Sequence, residues 1–307
     1  MERHFPPPAK ARAQELAHSL MEVLEHDVAA VTWMAPRTRA KALEKLARFY
    51  PDAWKDYRSV ALRSDNFWAN VAAGRKFAIQ EDRQRVGKPT APEQWQLSPS
   101  SSDAYIDFQR NEMVLPAGFL QPPAFSPEAL DAANYGSLGA GLGHDMTHGI
   151  DATGADTDVL GRPINGWTDD DRKHFQERAR CVMDQLNGYV VKGDVHLDGK
   201  RVLNDAIGDL AGVRIAFRAL ELKLKGHRTT RVDGFTPQQQ FFLAWAQARA
   251  EAILPETRRM LLSTDIHPLP SFRVNGTLAN LPQSQKAFSC NPGAPMVRPP
   301  EKRCAVW

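Results

Sequence analysis

Two histidines four residues apart, His144 and His148 in GHDMTHG, carry the strongest chemical signal in this sequence. On a helix, positions i and i+4 share one face, so the two imidazoles could fill two corners of a zinc tetrahedron. Between them stands Asp145, at the position where the zinc-hydrolase pattern HExxH has its general base. A third ligand has to come from another element. The segment LNDAIGDLAGV offers Asp205 and Asp209, again i and i+4. One could ligate a metal while the other hydrogen-bonds a ligand histidine. Spacing alone leaves plainer readings open: two hydrogen-bonded histidines, and two acids favoured by a helix dipole.

The surrounding sequence supplies elements to position these groups. Small residues at Gly136, Gly139, Ala140 and Gly143 suit a helix that packs closely on a neighbour. Apolar periodicity predicts helices over 10–27, from Pro36 onward, and over 65–79. Pro127 suits the start of a short helix leading into the Gly-rich run. Thr168 followed by three aspartates predicts a helix running to about Leu186. Further helices are expected over 204–224, 236–251 and 256–263. Residues 103–115 alternate like one or two strands. Residues 152–166 read as a polar loop, and the Pro-rich tail from 264 as mostly irregular.

Composition sets wide limits. The chain has 307 residues, 42% hydrophobic and 24% charged, as in an ordinary globular protein. A net charge of +3, spread along the chain, argues against nucleic acid as a partner. No run is apolar enough to cross a membrane, and the first residues do not read as a signal peptide. The expected location is cytoplasmic, with Cys181, Cys290 and Cys304 as reduced thiols.

NEMVLPAGFLQPPAF, NYGSLGAGLGHDMTHGID, LNDAIGDLAGVRIAFRAL, TDIHPLPSFRVNGTL and PPEKRCAVW follow one another along the chain. Together with VTWMAPRTRAKALEKL near the start, they closely resemble the neprilysin and endothelin-converting-enzyme family of zinc endopeptidases. The resemblance implies an α+β, mainly helical, thermolysin-like zincin fold with a small sheet. It implies one catalytic unit over 1–307, with an N-terminal helical part to 102 and a zinc-binding part from 103. It makes Zn2+ the cofactor and His144, His148 and Asp205 its ligands. Asp209 becomes the acid behind a ligand, His267 the oxyanion donor and Arg273 the group that grips the substrate backbone. Asp103 and Ala104 fall where the family binds substrate like an added strand.

Three departures sit at the chemistry: Asp145 and Asp205 replace glutamates, and Asp103 replaces an asparagine. Each Glu to Asp change removes about 1.5 Å of reach, and a misplacement of about 1 Å can cost ~100-fold in rate. Asp103 accepts hydrogen bonds but cannot donate them. The family's large helical lid is not matched, so the expectation is an open cleft, roofed by a second copy in a homodimer or by a partner protein. Cys181 and Cys304 match positions that pair in secreted relatives. The functional expectation is hydrolysis of a peptide or small amide-containing substrate, with Asp145 as a shortened base. The alternatives are a zinc enzyme repurposed for a small molecule and a catalytically impaired zinc-binding protein.

Overall fold

The computed structural model describes residues 6–46, 61, 63–87, 97, 100–192, 195–227 and 231–307. Helix α1, Pro7–Ala30, opens on prolines in its first turn, where the missing N–H costs nothing. It buries Leu16, Leu20, Val23, Leu24 and Val28 along one stripe, the apolar spacing read from the sequence. Helix α2, Pro36–Leu46, packs on α1, and α3 spans Phe67–Arg85. Phe67 and Trp68 at the start of α3 are exposed and pack on each other. Trp54 and Tyr57 lie outside the described residues.

The strands expected over 103–115 form an antiparallel pair, β1 Tyr105–Asp107 and β2 Glu112–Val114, with Ile106 opposite Met113. A continuous helical rod follows. It consists of α4 Asp131–Asn134, a π-helical turn Tyr135–Gly139 and α5 Ala140–His148. The rod starts at Asp131 rather than Pro127, whose carbonyl accepts a hydrogen bond from Arg12. Helix α6 is Asp169–Asn187, and α7, Leu203–Leu224, runs through the core. Helices α8 Pro237–Ala248 and α9 Pro255–Thr264 come next.

Close backbone approach builds the core. A side chain at Gly143 would stand 2.9 Å from the Gly212 Cα, so α5 and α7 touch backbone to backbone. At Gly136 a Cβ would meet the Phe241 carbonyl at 2.1 Å, which seats the π-helical turn on α8.

Asp171 ties two helix starts together. It closes the capping box of α6 with Thr168, and it accepts from the Ala35 N–H and the Thr38 hydroxyl at the start of α2, both at 2.6 Å. Lys45 of α2 is buried, and its ammonium donates to the Gly154 carbonyl at 2.6 Å and the Thr157 hydroxyl at 3.0 Å. Burial lowers its pKa to about 8, against the pull of Asp151 and Asp158. The loop that follows His148 is thereby propped from α2.

Two expectations need correction, and one element was not foreseen. The tail is not mostly irregular: it forms α10 Pro270–Leu278 and α11 Pro282–Ala287. The prolines read as breakers sit in first helical turns instead. A second antiparallel pair, β3 Val190–Lys192 and β4 Val195–His196, is too short for its period to show. Cys181 of α6 and Cys304 form a disulfide, with Cα atoms 5.5 Å apart, while Cys290 is a free, exposed thiol. Among the described residues no helix is long and apolar enough to cross a membrane.

Candidate metal centre

The crossing of α5 and α7 places the two imidazoles against the two acids. His144 Nδ1 lies 2.9 Å from Asp209 Oδ1, and His148 Nδ1 lies 2.8 Å from Asp151 Oδ2. A carboxylate only accepts, so each Nδ1 carries a proton, and in the neutral form that ligates a metal the lone pair of each ring lies on Nε2. Those two Nε2 atoms face each other at 3.0 Å. Asp205 Oδ1 lies 3.4 Å from His144 Nε2. Ligand atoms of His144, His148 and Asp205 all fall within 4.8 Å of one another. Two opposed lone pairs and an anionic oxygen form a donor set for a cation, and N,N,O donors suit zinc.

The electrostatics agree. Burial opposes a charge on His144, yet its hydrogen bonds to Asp205 and Asp209 prevail and lift its pKa to about 9. The acids demand a positive charge at this spot. Burial raises the Asp209 carboxyl, but the Arg273 guanidinium overrides it and holds the group far below the usual carboxylate range. That guanidinium grips both oxygens, Nε to Oδ2 at 2.7 Å and Nη2 to Oδ1 at 2.6 Å. The Asp205 carboxyl is likewise lowered: burial raises it, and His144 and His267 outweigh burial.

Around this floor lies a rim. Asp145, half-buried on α5, has its carboxyl raised by burial, against the attraction of His144, His148 and Arg249. His267 sits just before α10. Its Nδ1 donates to Asp265 at 2.7 Å, and its Nε2 points inward, 3.1 Å from Asp205 Oδ1. Asp103 is exposed ahead of β1 and accepts from the Ala104 N–H at 3.0 Å. Its charge reaches Asp145 and adds to the rise of that carboxyl.

Sequence reasoning missed three residues. Asp151 lies three positions after His148, a helical i+3 spacing that was available as a signal. Asp265 stands two residues before His267 and fixes its ring. Arg249, just past α8, pairs with Asp209 at 3.8 Å and had no spacing signal at all.

A sequence profile described as peptidase family M13 matches residues 103–304, the span that holds every group just described. The chain belongs to peptidase family M13. A second M13 profile matches residues 1–53. Among curated M13 relatives, neprilysin-1 of Caenorhabditis elegans is 31% identical over 99% of this chain and 43% of its own length. Membrane metallo-endopeptidase-like 1 of Mus musculus is 29% identical over the whole chain and 42% of its own length. The chain thus spans less than half of these relatives. Among solved structures, the zinc metalloprotease Zmp1 of Mycobacterium tuberculosis, in complex with an inhibitor, superposes with a TM-score of 0.87 at 34% identity. That match covers 97% of this chain and 47% of that one. PepO from Lactobacillus rhamnosis HN001 gives a TM-score of 0.84 at 28% identity, over 99% of this chain and 48% of that one. The mainly helical M13 architecture with its short strand pairs is the fold expected from the motifs.

Proposed function

We propose that this chain is the zinc-binding catalytic part of a peptidase-like hydrolase that cuts amide bonds in peptides. The observation that carries the reading is the pair of Nε2 atoms opposed at 3.0 Å, with Asp205 beside them and both Nδ1 atoms committed to acids. His144, His148 and Asp205 would hold zinc. Bound there, zinc supplies Lewis acidity, which activates water and polarises a carbonyl. Asp145 accepts the proton of the attacking water and passes it to the leaving amine. His267, oriented by Asp265, donates from Nε2 to the oxyanion as it develops. Asp209 and Arg273 fix the tautomer and angle of His144, and Arg273 also stands where substrate backbone would be gripped. Asp103 accepts a hydrogen bond from a substrate N–H at the edge of β1.

The zinc metalloproteases among the relatives support the same chemistry. The Cys181–Cys304 pair favours an oxidising compartment over the cytoplasm expected from the sequence. Exposed Phe67 and Trp68 support the expectation of a covering copy or partner, which light scattering over a dilution series checks.

Two measurements test the reading. Metal analysis of protein purified without added metal should give one zinc per chain; no uptake on titration would end it. Asp145→Glu restores the family's longer base and should raise peptide hydrolysis, by ~10-fold or more if reach is limiting. Unchanged turnover with zinc still bound would favour a small-molecule amide as substrate.

A further inference from the structure

Arg249 is a cation at the reaction site whose hydrogen-bonding capacity is unspent. It lies one residue past α8, with its guanidinium 4.6 Å over the Trp245 ring. Its Nε is buried and has no hydrogen-bond partner among the described residues. Its closest carboxylate contact, Nη2 to Asp209 Oδ1, is 3.8 Å, too long for a hydrogen bond. Asp209 cannot satisfy it, because that carboxylate is already engaged by Arg273 and His144. The contrast with Arg273 is direct: Arg273 is nearly enclosed and locked by two short bonds, whereas Arg249 keeps 26% of its side chain exposed.

Charge points the same way. Asp145, Asp205 and Asp209 all act on Arg249 electrostatically, so it faces the same cluster as the catalytic acid. Zinc and Arg273 together would neutralise those carboxylates, which leaves Arg249 as the surplus cation of the buried set. A flat guanidinium stacked on an indole, with free N–H groups, matches a planar carboxylate approached edge-on.

We propose that Arg249 determines substrate class by receiving a carboxylate of the substrate next to the scissile amide. The inference rests on the zinc-hydrolase reading above and names the ligand chemistry of that site. The carboxylate has two possible sources, a free peptide C-terminus or an acidic side chain.

The test uses the zinc-loaded full chain and three peptidyl hydroxamates, which bind through the metal whether or not peptides turn over. The first ends in a free α-carboxylate and the second in a carboxamide. The third is a carboxamide carrying a glutamate side chain. One of the two anionic compounds should bind ~10-fold or more tightly than the neutral one, and which of them does so identifies the source. Arg249→Met should bring the ratio to about one, and Arg249→Lys should retain part of it, since an ammonium keeps the charge but not the fork. Equal binding of all three to the wild-type protein overturns the proposal and leaves the zinc reading standing. A preference that survives in Arg249→Met overturns it as well, and where that variant does not fold, a preference undiminished in Arg249→Lys does so. Failure of all three to bind overturns the zinc reading and this inference with it.

Discussion

The floor of the M13 site and its rim are built by different rules. On the floor, His144, His148, Asp209 and Arg273 each hold a partner at ordinary hydrogen-bond distance, and the helices behind them touch through glycine. On the rim, His267 is half-exposed, Asp103 faces solvent and the Arg249 Nε has no hydrogen-bond partner among the described residues. Buried polar groups must be satisfied or they cost stability, so the floor tolerates one arrangement. The rim is free to vary, and two of the residues that differ from the family pattern, Asp103 and Asp145, belong to it. On the function proposed above, metal holding and substrate choice would therefore be separable.

The sharpest way to break that comparison is to separate the helices. In Gly212→Val the new side chain would meet the Ala140 carbonyl and the His144 N–H at 2.4 Å, and neither is free to move away. We expect at least about 3 kcal/mol of lost stability in denaturant unfolding, with zinc uptake lost alongside. Full metal binding in that variant would show that the floor does not depend on helix contact.

A smaller effect is expected behind His148. Asp151→Ala removes the acceptor at Nδ1 and also the cap on the Thr153 and Gly154 N–H groups. Zinc affinity, read by chelator competition, should fall by ~10–100-fold. A rim substitution such as Asp103→Asn should leave that affinity alone while altering hydroxamate binding; the reverse pattern would contradict the division.

The smallest expected effect tests the prop under the loop. The folded protein releases the Lys45 proton near pH 8, whereas the unfolded chain keeps it to about 10.5. Between those values the unfolded state holds more protons, so stability rises with pH through the window. Relative to Lys45→Met, the wild-type protein should gain up to about 2 kcal/mol from pH 7.5 to 9.5. Titrations common to both proteins, including that of His144, cancel in the difference. A flat difference would mean that Lys45 is hydrated rather than buried.

The floor was largely legible in the sequence because it consists of i, i+4 pairs on two helices, and helical spacing survives in one dimension. Spacing made Asp205 and Asp209 candidates, and the family resemblance paired them with His144 and His148. Arg249 could not, because its place is set by where α8 ends against α7, and no spacing rule links residue 249 to 209. The tail misled for a local reason: Pro270 and Pro282 start helices, and a proline at a first turn looks like a breaker until the turn is seen. The thiols misled because pairing depends on whether residues 181 and 304 meet, which is a property of the fold.

The Cys181–Cys304 bond has a consequence in polymer terms. It closes a loop that contains Asp205, Asp209, Arg249, His267 and Arg273 and excludes His144, Asp145 and His148. With zinc bound, the metal becomes a second clasp, fastening the excluded segment to the closed one. The disulfide shortens the list of shapes the unfolded chain can explore, and a closed loop of this length is worth about 4–5 kcal/mol in the entropic account, whereas the metal would act by binding the folded site. Thiol reductant and chelator would then undo the same object from opposite sides, and removing both would leave packing alone to keep the acids beside the histidines.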